Sequence, residues 1–504
     1  MVVLTDSQPN SPIKSHQTWS QAGSSRVGPS SPRSPQFVGV VRSPDVGGSQ
    51  PPPPAYVPGP SGPLLPGPPQ KPRQSVARRF FTAFAIAWII VLAFNFVVRT
   101  TFDYADSYEW DNNPLERDGK VLTCDTHWST SDAPQDFVQP LDMASQMTFP
   151  TYPVYNVTES FDLPANAPLH YLIARGSLLG GAAIIRGVEG ADPNLIKVDV
   201  TIWYSSRDAL SRANVCKLQK PEGGMGIGIF TPRNRFQWGN ENMRDALRVQ
   251  VTVSLPASRD SLLHLNGFET NLPNFRHKFE RLGDRVQIDH LSLQGSNGNI
   301  ESDSLYFSQG SVKTANGRIS GQYNATESLV LQTSNGAVDL DVGLTNDDTH
   351  RASTLEIQSS NGRIEPRISL LTTHDQRPQP KGGHFSVKLK TSNGKLDVKF
   401  PTAPVDSLLD FTAKTSNAIA DVSLHNSFEG SFLLQTSNGR AEVDEAYVSD
   451  PTGRGLRRDV EYIKRGNTRR EGTIVWTKYG RHESPEMGKA DIRTTNGGAI
   501  LRLH

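Results

Sequence analysis

Cysteine is nearly absent from this chain: Cys124 and Cys216 are the only two among 504 residues. That excludes a disulfide framework and a cysteine zinc site, although a single bridge between them remains open beside two buried free thiols. An excess of charge of either sign is also lacking. The formal net charge is +1, so no global electrostatic case exists for nucleic acid as a partner. Histidines are scattered without a metal-ligand spacing, His264 and Asp289-His290 included, and the EF-hand and G-G-x-G-x-D calcium patterns are missing. No G-x-S-x-G, Walker or Rossmann glycine pattern appears. These absences predict no catalytic, cofactor-binding or metal residues. Sustained helical periodicity is missing too, leaving short segments around 210 and 276 as the helix candidates.

Long apolar runs are rare, with one exception. Phe80 to Val98 carries no charge, and at about 1.5 Å per residue it spans roughly 28 Å, close to the thickness of a bilayer's hydrocarbon core. Lys71, Arg73, Arg78 and Arg79 precede it and only Arg99 follows closely. The positive-inside rule then places the N-terminus in the cytosol and the rest outside it, a single-pass type II membrane protein. The C-terminal domain is therefore expected to be lumenal or extracellular, joined to the span by a linker over 99–119. Two sequons on that side, at Asn156 and Asn324, are candidate glycosylation sites. Asn95, the one strongly polar residue of the span, suits either the outer interface or an interhelical hydrogen bond.

Residues 1–75 are rich in Ser and Pro, too poor in apolar surface to offset chain entropy, and are expected to be disordered. Four Ser-Pro pairs, at 11, 31, 34 and 43, fit either proline-directed phosphorylation or plain linker composition. The most specific element is Pro53-Pro54-Ala55-Tyr56, which follows two further prolines. It resembles the Pro-Pro-x-Tyr ligand of WW domains, for which a preset polyproline II segment loses little entropy on docking. The resemblance implies a WW-domain partner, with recruitment of ubiquitin ligases as its consequence.

From about 120 the pattern changes to period-two alternation. Leu195 to Tyr204 and Leu247 to Leu255 read as strands with one buried face, and Leu172 to Ile185 as strands broken by glycines. Residues 120–284 form a β-rich first part. Over 285–504 a cassette recurs: an apolar residue, a long polar residue, then Thr-Ser-Asn-Gly, as in Leu331 to Gly336, Leu389 to Gly394, Leu434 to Gly439 and Ile492 to Gly497. Looser copies bring the asparagines to positions 297, 316, 335, 361, 393, 417, 438 and 496. If Asn-Gly is a two-residue turn with left-handed backbone angles, Thr333 pairs with Val338 and Leu331 with Leu340, and the apolar groups share one face. A corner in a β-solenoid would need the same residues, and steps of about 20 suit one solenoid coil, so both remain open. Residues 371–383 and 450–488 are then loops between coils. The second is rich in Arg and Lys, fitting a solvated loop or a site for anionic glycans or lipid headgroups.

Repeated T-S-N-G flanked by alternating strands resembles the putative adhesin family, an all-β, solenoid-like stack. The single-pass, proline-rich architecture is similar to that group's membrane-anchored fungal members. The resemblance implies a non-catalytic ectodomain that contacts glycans or surface proteins, and it brings no catalytic residues. Two alternatives are a glycan-processing enzyme on a β-helix scaffold and a membrane adaptor acting through the tail. For the enzyme, Asp339 and Asp341 are the candidate carboxyl pair, or a D-x-D metal motif, but they alternate with Val338 and Leu340 and so belong to the solvated face.

Overall fold

The computed structural model describes residues 113–125, 128, 155–176, 179–231, 247–258, 262–346, 351–372, 382–478 and 487–503. The tail, with Pro53 to Tyr56, and the expected span at 80–98 lie outside them. Among the described residues no helix is long and apolar enough to cross a membrane. The fold is nearly all-β. Among the described residues 26 strands join into one continuous sheet that folds into two layers around a main core running from Val157 to Leu503. That core crosses the 284/285 boundary without interruption, because strands before it pair in parallel with strands after it. The short helix expected near 210 is present at Arg207–Ser211, with Ser206 as its N-cap. The one expected near 276 is not. Phe275, His277 and Phe279 alternate inward while Arg276 and Lys278 face outward, so Phe275–Phe279 is a strand.

The cassette is a corner, not a hairpin. The strand Ile319–Thr333 enters the corner, and its Leu331 pairs in parallel with Val312 and Ile357. After the corner, Val338 pairs with Ile319 and Ile364. The antiparallel pairs Thr333–Val338 and Leu331–Leu340 do not form. Strands before each corner build one layer, here the back layer, and strands after it the front layer. The physical reason is edge satisfaction: a hairpin leaves outer ladder edges open, whereas stacked coils give every interior strand two partners and lay like side chains over like.

The reason for glycine also differs from the expected left-handed turn. None of Gly298, Gly317, Gly336, Gly362, Gly394, Gly439 and Gly497 has a left-handed φ. A Cβ on any of them would lie 1.7–2.0 Å from a carbonyl oxygen of the coil stacked against it. Glycine is there because backbones touch. The threonine locks the same corner: Thr333 Oγ1 accepts from Gly336 N–H at 3.1 Å and donates to Gly317 O at 3.3 Å. Each asparagine amide donates to the asparagine of the adjacent coil over 2.6–2.8 Å, a continuous ladder of eight bonds.

That ladder runs 274, 297, 316, 335, 361, 393, 417, 496, 438, so space and sequence order part at the end. The C-terminal coil, Gly488–Arg493 and Ala499–Leu503, inserts between the coil of Leu408–Leu424 and the coil of Gly430–Glu445. The N-terminal end repeats the device. His170–Arg175 and Leu179–Val188 lie between the strands Met225–Phe230 and Leu247–Pro256 on one side and Leu263–Asn271 and Phe275–Phe279 on the other. Antiparallel strands then close both ends. At the C-terminal end the segment expected to be a loop, 450–488, supplies a hairpin, Arg457–Arg465 and Arg469–Thr477. Its tip caps the last cassette: Thr436 N–H donates to Thr468 O at 2.9 Å and Ala441 N–H to Asn467 O at 2.7 Å, standing in for a further coil.

Candidate functional site

A groove of about 160 Å³ opens on the outer side of the back layer near its N-terminal end. One wall is the turn Glu116–Asp118, which the sequence assigned to the juxtamembrane linker. The floor is made of outward residues from three successive strands, Tyr171 and Ile173, then Glu269 and Asn271, then Ser292 and Gln294. The wall is fastened where it leaves the groove. Lys120–Asp125 pairs antiparallel with Asn214–Gln219, and Cys124 is disulfide-bonded to Cys216 directly opposite. Tyr171, Ile173, Cys216, Leu218 and Phe230 form a small second core beneath this strand. Gly119 joins turn to strand with φ +114°, where a Cβ would meet the Tyr171 hydroxyl at 2.6 Å.

Asp118 organises the charge. It is buried, receives the Leu115 N–H at 3.2 Å, and pairs with Arg175 at 3.2 Å. Its backbone oxygen accepts from the Tyr171 hydroxyl at 3.0 Å. Burial and the neighbouring Asp118 charge push the Tyr171 pKa up, so the phenol stays a donor. Burial lowers Arg175 from its ordinary value, opposed by the Asp118 charge. Lys220 lies over the Tyr171 ring, 4.6 Å from its centroid, and reaches Glu269 at 3.0 Å. Arg117, Arg175 and Lys220 therefore face the opening with two carboxylates between them. Such an arrangement can hold a small anionic or polyhydroxylated group.

The sequence-predicted residues are distributed elsewhere. Asp339 is paired with Arg318, and Asp341 is held at 2.6 and 2.8 Å by Arg367 in a bidentate pair. Both carboxylates lie on the outer front face within a charge-compensated sheet. His264 and Asp289 pair with each other at 3.1 Å. Among the described residues no group of three or more His, Cys, Asp or Glu could hold a metal ion. Asn156 lies half-buried on the end strand Tyr155–Pro164, and Asn324 is half-buried on Ile319–Thr333, its amide 3.3 Å from Leu305 O. Within the basic hairpin, Arg458 is spent on Ala446 O and Leu503 O, while Arg465 lies over the Tyr462 ring. A shallower notch of about 300 Å³ lies beside Arg465 and Arg470. Sequence reasoning missed Arg117, Asp118, Tyr171, Arg175, Lys220 and Glu269. They come from four separated segments, 117–118, 171–175, 220 and 269, and meet only through strand pairing, so no local signal marks them.

Residues 311–452 match a family model described as Domain of unknown function (DUF7330), well under half of the chain. No curated protein matches. Among solved structures, the crystal structure of a putative cell adhesion protein from Clostridium sporogenes ATCC 15579 is similar at 10% identity, over 69% of this chain and 99% of that one, with a TM-score of 0.16. A likeness so slight carries no weight for fold or function.

Proposed function

We propose that this chain is a non-enzymatic surface-interaction protein: a single-pass type II membrane protein presenting a solenoid-like, adhesin-like ectodomain on the lumenal or extracellular side. The observation that carries the reading is the groove, lined by exposed Arg117 and by Arg175 and Lys220 with their partners Asp118 and Glu269, its wall fastened to the sheet by a disulfide. A rigid sheet floor loses little entropy on binding, which favours recognition of a polar or anionic ligand. Pairing of Asp339 and Asp341 with arginines supports the non-enzymatic part, since both carboxylates are taken up in ion pairs on a sheet face and neither lines the groove. Anchoring and orientation rest on the apolar 80–98 segment and its basic N-terminal flank.

The test is to screen the full-length chain, purified in mild detergent, on an array of glycans. Binding without turnover supports the reading. Turnover of any glycan overturns its non-enzymatic part, and absence of binding to glycans and to surface-protein extracts overturns the whole. Protease protection in sealed microsomes tests orientation, since the C-terminal domain must resist digestion.

A further inference from the structure

The long polar residue preceding each cassette becomes, on stacking, a column along the outer face of the back layer. It begins at Asn271, ends at Arg469, and carries Lys313, Lys390, Lys414 and Arg493, with Gln294, Gln332, Gln358 and Gln435 on the remaining rungs. No rung is acidic. Rungs repeat at about 4.8 Å, so Lys390, Lys414 and Arg493 set three cations side by side. Like charges in direct register destabilise a sheet. The front layer avoids that cost: Asp339 lies beside Glu365, and Asp397 beside Asp421, but Arg318, Arg363, Lys395 and Arg502 pair with these four in turn. On the back layer Arg493 is paired with Asp491 of its own strand, while among the described residues no carboxylate is paired with Lys313, Lys390 or Lys414. Arg469 is likewise paired on its own strand with Glu471, so the column leaves three lysines open, two of them adjacent, where the front layer leaves Lys399 beside the paired Arg367. The open row ends at Asn271 and Gln294, which line the groove.

We infer that this column binds a linear acidic polysaccharide laid along the stack axis, with one end seated in the groove; the inference rests on the surface-interaction reading above. The column is one residue wide and continuous, which fits an extended chain bearing repeated charges along its length. A planar anionic membrane fits less well, because the next two columns alternate in sign, Glu356 beside Lys388 and Asp410 beside Lys489, and would add no net attraction. A nucleic-acid strand would need aromatic platforms for its bases, and the column has none.

The experiment measures binding of the full-length chain to heparin and to polygalacturonate, with dextran as the neutral counterpart and phosphatidylserine vesicles as the lipid arm. Lys390→Gln/Lys414→Gln is compared with Lys395→Gln/Lys399→Gln, which removes the same charge from the front layer. The back-layer variant should weaken acidic-polymer binding by about tenfold, summing two exposed charge contacts. The front-layer variant should change it by less than about threefold. Binding should also fall steeply with added salt. Equal losses in the two variants, equal binding of dextran, or binding to vesicles with none to polymers would each overturn the column. Wild-type binding to a neutral glycan or a protein that the lysine variants leave intact would overturn the column while the surface-interaction reading stands.

Discussion

The corner glycine offers a direct test of why the cassette needs Asn-Gly. In Gly336→Ala the new Cβ would sit 1.8 Å from Gly317 O and 2.9 Å from Thr333 Oγ1. The nearest atom belongs to backbone, so it cannot rotate away. Overpacking of this kind costs about 1–3 kcal/mol and occasionally more. If the corner lifts instead, it loosens the Asn335–Asn316 and Asn361–Asn335 bonds, both 2.7 Å, and the Thr333–Gly317 bond. Each contributes about 0.5–1.5 kcal/mol net. Lifting would then cost about 1.5–4.5 kcal/mol, and by either route the expected loss is about 2–4 kcal/mol. Gly453, with φ +67° and nothing within 4 Å of a Cβ, is the comparison; its alanine variant should cost only about 1–2 kcal/mol. Gly336→Asn separates the two explanations, because asparagine tolerates left-handed angles but not a carbonyl in its Cβ position. Repeat stacks unfold in parts, so urea midpoints should be read alongside amide exchange over 331–340. Near-wild-type protection in Gly336→Ala, or an asparagine variant much milder than alanine, would refute the close-approach account.

Other perturbations probe the rest of the scaffold. His277 is fully buried, with Nε2 2.8 Å from Thr270 Oγ1, and burial lowers its pKa to about 4. Its folded pKa lies below the unfolded one, so the unfolded chain takes up the proton first. The contribution of about 3 kcal/mol is present above about pH 6.5 and lost on descent to about 4. His277→Gln should flatten that slope, leaving the parts due to His170 and His425, which burial also lowers; an unchanged slope would refute it. Asp118→Ala strands Arg175 in the groove wall and should cost about 3 kcal/mol by thermal unfolding, with Asp118→Asn milder. Ending the chain at Met487 removes Ala490, Ile492, Ala499, Leu501 and Leu503 from the core. It should make 408–477 protease-sensitive while 286–371 stays protected, whereas uniform resistance would contradict the inserted coil. In the tail, Tyr56→Ala should abolish WW-domain binding measured by calorimetry, and equal affinity would remove that partner.

Period-two alternation and the cassette determine by themselves that the region from about 120 onward is all-β and repetitive, and they mark Leu195–Tyr204 as a strand to the residue. They also mark which residues face the core, because alternation is a local property of the strand. Several features were beyond that reach. A corner and a hairpin use the same Thr-Ser-Asn-Gly, and the choice depends on whether Leu331 finds Leu340 or Ile357, a contact made across coils. Asn274 begins the ladder without a Thr-Ser before it, so the repeat was invisible upstream of 285 although coils continue there. The insertion of 488–503 between earlier coils is silent in sequence, since any coil with the same stripe fits the slot. The groove and the donor column are likewise tertiary facts. The chain shows a long polar residue before each threonine, but only parallel stacking in register turns separated residues into one line of charge. Only pairing across the back layer brings Asp118 to Arg175. Local pattern fixes which way each side chain points; which side chains become neighbours is decided by the order in which the coils stack.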